Sequence, residues 1–202
     1  DRYMKVGSQL AESFLRQFQK EKFRVAGVPR QREIFEKNVK PHLGDGKTAY
    51  VWVDALRFEM ARELSDTLAS EFFVQVDGAL ASVPTITEIG MAALLPGLTD
   101  EAKVVAGGEG KLALEVDGVP LKDRRGRLRF LKEKCGDGVF DLKLEDLLPS
   151  PPKKVKEGIL KADLILLTSQ EIDELCEGDN IPNARRTMDL ILHELRRAFL
   201  IL

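Results

Sequence analysis

Residues 48–59, TAYVWVDALRFE, decide the architecture. Thr48 to Val53 is a nearly unbroken β-prone run, the pattern of a strand covered on both faces. Leu56, Met60, Leu64 and Leu68 then recur at intervals of four, the stripe of an amphipathic helix. The same grammar returns downstream. Asp163 to Thr168 (DLILLT) is another buried-type strand, and Ala184 to Leu202 predicts a long amphipathic helix. Phe72 to Val76 (FFVQV) predicts a further strand, and Thr85 to Leu95 a further helix that stops at Pro96-Gly97. Strands alternating with helices predict an α/β fold, doubly wound around a mostly parallel sheet with flanking helices.

The remainder divides around this unit. Residues 1–46 predict a helical N-terminal segment, with Leu10, Phe14, Leu15 and Phe18 at helical spacing. A break at Gly27-Val28-Pro29 precedes a second short helix carrying Ile34, Phe35 and Val39, which Pro41 and Gly44-Asp45-Gly46 close. Residues 47–202 form the α/β domain. Within it, 111–122 predict a hairpin turning at Asp117-Gly118, with Pro120 placing the returning arm at a sheet edge. The basic run 124–134 reads as a solvated face, with contact to nucleic acid or an acidic partner as its other reading.

Composition narrows the function classes. A chain of 202 residues, 44% hydrophobic and 32% charged, buries a sizeable core without disulfide staples. Lys and Arg total 31 against 33 Asp and Glu, a net charge of −2, which argues against a dedicated nucleic-acid binder. No apolar run approaches the roughly 20 residues of a membrane-spanning helix, and the opening residues carry no signal-peptide pattern. Cys135 and Cys176 form no CxxC and read as reduced thiols of a cytoplasmic protein. With His42 and His193 the only histidines, a metal site must rest mainly on carboxylates. Position 1 is not Met, and the chain closes on the apolar run Ala198 to Leu202, so a fragment of a longer protein is expected.

Candidate chemistry collects at the predicted strand ends. Asp54 directly follows the TAYVWV strand, where open α/β sheets place their ligand crevice. It could hold a cation there, or cap the helix that follows. Arg57 in the first helical turn opposes the macrodipole, which suggests an anion partner; a salt bridge to Asp54 or Glu59 is its other reading. Thr85 with Glu88 fits a capping box, which puts Thr87 in the first turn of a helix. A hydroxyl so placed beside a metal-bound carboxylate can be an activated nucleophile, and otherwise both threonines simply cap. Asp173 and Glu177 follow the DLILLT strand and either complete a metal site with Asp54 or lie in a solvated acidic loop. Gly107 to Lys111 imitates a phosphate loop, but Leu112 stands where Ser or Thr is required.

Three segments, VWVDALRFE (51–59), VPTITEIGMAALLPG (83–97) and TSQEIDELCEGD (168–179), together resemble the PglZ domain. That family belongs to the alkaline-phosphatase superfamily and occurs in BREX and Pgl phage-defence systems. The resemblance runs from about Thr48 to the end of the chain. It implies an alkaline-phosphatase-like core and a metal-dependent phosphatase or phosphodiesterase acting on a phosphate ester. Thr87 matches the nucleophile, the second Thr of a Pro-Thr-X-Thr motif. Asp54 matches a metal ligand, and Asp173 is similar in position to a later one. Glu177 stands where related phosphodiesterases carry His, and the Asp-His-Gly motif of such enzymes is not in this sequence. The implied cofactor is a divalent metal, zinc first and manganese second. The implied partners are other defence proteins such as a DNA methyltransferase. The competing expectation is a catalytically degenerate scaffold in a defence complex.

Overall fold

The fold is a computed structural model that describes residues 2–98, 102–108, 110–177 and 181–202, with the backbone alone for 181–186. Helix α1 (Arg2–Lys20) opens the chain, and short 3-10 and π turns follow over residues 31–42. Strand β1 (Thr48–Val53) leads into α2 (Phe58–Leu68), and α3 (Thr87–Ala92) comes after a long irregular stretch. Three strands then fold on one another: β2 (Lys103–Gly108), β3 (Lys111–Val116) and β4 (Val119–Leu121). Helix α4 (Arg124–Cys135), β5 (Val139–Lys143), α5 (Leu144–Leu147) and α6 (Lys153–Lys161) lead to β6 (Leu164–Ser169). Helices α7 (Glu171–Glu177) and α8 (Ile181–Ile201) complete the α/β unit.

The central sheet is parallel, in the order β1-β6-β5. Its register runs from Thr48 opposite Leu164 to Val53 opposite Ser169, and from Val139 opposite Leu164 to Lys143 opposite Thr168. Strand alternation divides the core in two. Tyr50, Trp52, Leu164 and Leu166 face a cluster with Ile89, Leu95, Leu114 and Leu131. Val51, Val53, Ile165 and Leu167 face the other side, where Met60, Leu64, Leu68, Ile191 and Leu195 pack. Helices on both faces explain why these strands are apolar at every position. Burying each such side chain contributes roughly 1.5–3 kcal/mol. No described helix is long and apolar enough to cross a membrane.

The expected hairpin is present. Asp117 and Gly118 both take positive φ, 51° and 77°, as a type I′ turn requires, and β4 with Pro120 is the sheet edge. Strand β2 pairs antiparallel with β3 on its other side and extends the hairpin to three strands.

Several expectations are corrected. Phe72 to Val76 forms no strand: the backbone is irregular and Phe73 is 98% exposed. Strand propensity measures fit to a half-buried pleated surface, and no neighbouring strand supplies one there. Helix α2 starts at Phe58, so Leu56 and Arg57 precede it. Helix α3 is six residues long and its N-cap is Ile86 rather than Thr85. The Ile86 amide already donates to the Pro84 carbonyl at 2.9 Å, and this tight turn delays the helix past the capping-box position. The second N-terminal helix is replaced by the 3-10 and π turns, which bury Phe35 and Val39 in the first core cluster. On α1, Leu10, Phe14 and Leu15 are exposed and only Phe18 is buried.

Candidate active site

Parallel pairing puts the ends of β1 and β6 side by side, and the site is built on both. The Asp54 amide continues the ladder past β1 and donates to the Ser169 carbonyl at 2.9 Å. Directly after Ser169, α7 begins, so Asp173 and Glu177 rise from the same end of the sheet, one helical turn apart. The third contributor is Thr87, the first residue of α3. Asp54, Thr87, Asp173 and Glu177 line one cleft of about 680 Å³, with Gln31, Thr85 and Glu88 on its walls. Gln31 fastens that wall: its amide nitrogen donates to the Gly90 carbonyl at 3.1 Å, and its oxygen accepts from the Ser82 amide at 3.0 Å.

Asp54 is buried, and it caps no helix, because α2 is preceded by Arg57 in the N-cap position. Its Oδ1 accepts from the Ala55 amide at 3.0 Å, while Oδ2 is buried without a partner. Burial, and next the negative charge of Asp173, push the Asp54 carboxyl above its ordinary value; Thr87, the Ala55 amide and Arg127 pull it back. Two facing carboxylates and an orphaned buried oxygen suit a cation. The fit is to part of a metal shell: among the described residues no three His, Cys, Asp or Glu side chains cluster to enclose an ion. His42 and His193 do not line the cleft.

Ala55 turns the chain out of β1 at φ 57°, a left-handed conformation that costs a residue with a Cβ about 1 kcal/mol. Its side chain is exposed, so Ala55→Gly removes that strain without emptying the core. The expected result is a gain of about 0.5–1 kcal/mol, read as a rise in Tm of roughly 1–3 °C. An unchanged or lower Tm would mean the turn carries no strain.

Arg57 is not brought to the cleft. It is exposed, with Nε 3.1 Å from Glu59 Oε1, the salt bridge that was its other reading. Asp173 and Glu177 lie on a helix rather than in an acidic loop, and residues 178–180 at the end of that motif lie outside the described residues.

The basic run holds what sequence reasoning missed. It is the helix α4, capped by Asp123, whose carboxylate accepts from the Gly126 amide at 2.7 Å. Lys122, Arg125, Arg129, Lys132 and Lys134 are exposed as expected, but Arg124 and Arg127 are half-buried. These two line a second, narrow cavity of about 50 Å³ with Trp52, Thr87 and Thr168. A signal was available: Arg124 and Arg127 share the helical face of Leu128 and Leu131, the face that must turn inward.

Comparison with known proteins agrees with this geometry. A family model described as the BREX system PglZ alkaline phosphatase-like domain matches residues 34–197. The alkaline phosphatase-like protein BrxZ of Escherichia coli O9:H4 (strain HS) is 28% identical over 176 residues, covering 83% of this chain and 19% of that protein. The alkaline phosphatase-like protein PglZ of Bacillus cereus (strain H3081.97) is 37% identical over 84 residues, covering 39% of this chain and 10% of that protein. The chain thus spans a fifth or less of the curated relatives it matches. No solved structure matches it. The family model covers well over half of the chain and all of its cleft-lining acids and Thr87, and the chain belongs to the PglZ family of alkaline phosphatase-like domains.

Proposed function

We propose that this domain is the nucleophile-bearing part of a metal-dependent phosphoric-ester hydrolase, working in a phage-defence system of the BREX or Pgl type. The observation that carries the reading is the meeting of Thr87 with Asp54 and Asp173 on one cleft at the carboxyl ends of parallel strands. Asp54, Asp173 and Glu177 would hold a divalent cation, zinc or manganese, whose chemistry is to lower the pKa of a nearby hydroxyl and to neutralise phosphoryl charge. Thr87 then acts as nucleophile. Its Oγ1 bonds to phosphorus from the side opposite the leaving oxygen, the bond from phosphorus to that oxygen breaks, and the Thr87 proton passes to the Asp54 carboxylate. Water hydrolyses the phosphothreonine and returns the threonine hydroxyl. The wide cleft gives the leaving group its exit.

The sparse ligand set favours a second reading, an interaction module that binds other defence proteins such as a DNA methyltransferase. One assay separates the two: hydrolysis of an aryl phosphate and an aryl phosphodiester, with zinc or manganese and with a chelator. The hydrolase reading expects turnover that needs added metal. No turnover of either ester under any condition favours the interaction module, and turnover indifferent to the chelator contradicts the metal role.

A further inference from the structure

Among the described residues, five side-chain atoms are buried without a hydrogen-bond partner, and their identities are informative. One is the acceptor Asp54 Oδ2. The other four are all donors: Trp52 Nε1, Arg124 Nε, and Arg127 Nε and Nη1. All three donor residues line the same narrow cavity, and Thr87 lines that cavity as well as the wide cleft. Each orphaned buried donor costs about 1–3 kcal/mol, and more when charged, so four around one hole is an arrangement that something must satisfy. Only an acceptor serves all of them.

We propose that Arg127, assisted by Arg124 and the Trp52 indole, holds the non-bridging oxygens of a terminal phosphate group beside Thr87, so that the site takes phosphomonoesters in preference to diesters. This rests on the hydrolase reading above and names its substrate class.

Three observations support it. Arg124 is anchored from behind, with Nη2 lying 3.0 Å from Asp141 Oδ2 on β5, which leaves Nε directed elsewhere. Arg127 has no ion pair among the described residues, although Asp123, Glu88 and Asp54 all act on it by charge and Arg124 opposes them. Their negative charge keeps the guanidinium ionised, while burial lowers its pKa and marks the desolvation that an anion would repay. Size is the third. A hole of about 50 Å³ has room for a group the size of one or two waters, hence for bare phosphoryl oxygens. An ester substituent must lie in the wide cleft of about 680 Å³ on the other side of Thr87. A monoester has one such substituent and can place it there. A diester has two, and carries one fewer charge for the planar donor fork of arginine to meet.

The test compares the wild type with Arg127→Gln and Arg127→Lys, all with added metal. Readouts are kcat/KM on an aryl phosphate and an aryl phosphodiester, and thermal stabilisation by inorganic phosphate. For Arg127→Gln the expected loss is about 10²-fold or more on the monoester and under about threefold on the diester, with stabilisation by phosphate abolished. Arg127→Lys should fall between, since it keeps the charge without the fork. Without phosphate, the melting temperature of Arg127→Gln should equal or exceed that of the wild type, because an unpaired buried charge is removed; a large drop would mean a structural arginine and overturn the proposal. Equal losses on both esters would also overturn it. If the wild type hydrolyses in a Thr87-dependent way and Arg127→Gln matches it, the pocket fails and the hydrolase reading stands. If neither ester is turned over but phosphate still protects the wild type and not Arg127→Gln, the pocket stands and the hydrolase reading fails.

Discussion

Thr87→Ala is expected to lower metal-dependent hydrolysis by at least about 10³-fold, while Thr87→Ser keeps a measurable share of it. Alanine removes the only atom of this side chain that can bond to phosphorus, whereas serine keeps the oxygen and loses a methyl. The substitution should leave the fold intact. Thr87 is half-buried, its side chain makes no cap, and α3 is anchored by Ile89 and Ala92, both fully buried. Rates of the purified variants on an aryl phosphate, with melting curves recorded alongside, check both statements. A Thr87→Ala protein that turns over at the wild-type rate removes the nucleophile from the account.

Asp54→Asn is expected to move activity and stability in opposite directions. Activity should fall by about 10²-fold or more, because an amide can neither take the Thr87 proton nor neutralise a cation. Stability in chelator should rise at neutral pH. The sign follows from the carboxyl group, which burial and Asp173 push above its ordinary value. The folded chain then keeps this proton to higher pH than the unfolded chain does. Its stability falls as pH rises from the ordinary carboxylate range through the raised value, and the full loss is present above it. Asparagine escapes that loss and its oxygen can still accept from the Ala55 amide. A gain of about 1 kcal/mol, or roughly 2–4 °C in Tm, is expected at neutral pH and none below the ordinary carboxylate value. Added metal should reverse the order by binding the folded wild type. A variant less stable than the wild type in chelator at neutral pH would mean that Asp54 serves the fold rather than the chemistry.

What the sequence disclosed follows from what each residue does. Strands β1 and β6 are covered by helices on both faces, so their apolar runs are continuous and easily read. The hairpin was legible because Asp117-Gly118 is among the few pairs that tolerate two positive φ values. Strand β5 was not singled out: VFDLK is short, and its Asp141 serves as partner to Arg124 and Lys132. Strand β2 hides in the glycine-rich KVVAGG. Asp54, Thr87 and Asp173 could be proposed together because each follows a strand or opens a helix, a local property. Arg124 and Arg127 could not, since seven basic residues between 122 and 134 look alike until the helix shows which two turn inward. Arg57 misled for a related reason. A cation at a helix start looks like an anion site until its neighbour Glu59 is seen to take it.

The most direct test of the central claim is to quench turnover of an aryl phosphate with acid at early times and locate the phosphate by peptide mass analysis. The account predicts phosphothreonine at Thr87, formed only with added metal and lost in Thr87→Ala. Turnover in which Thr87 stays unmodified, or in which the phosphate is found on another residue, would contradict it.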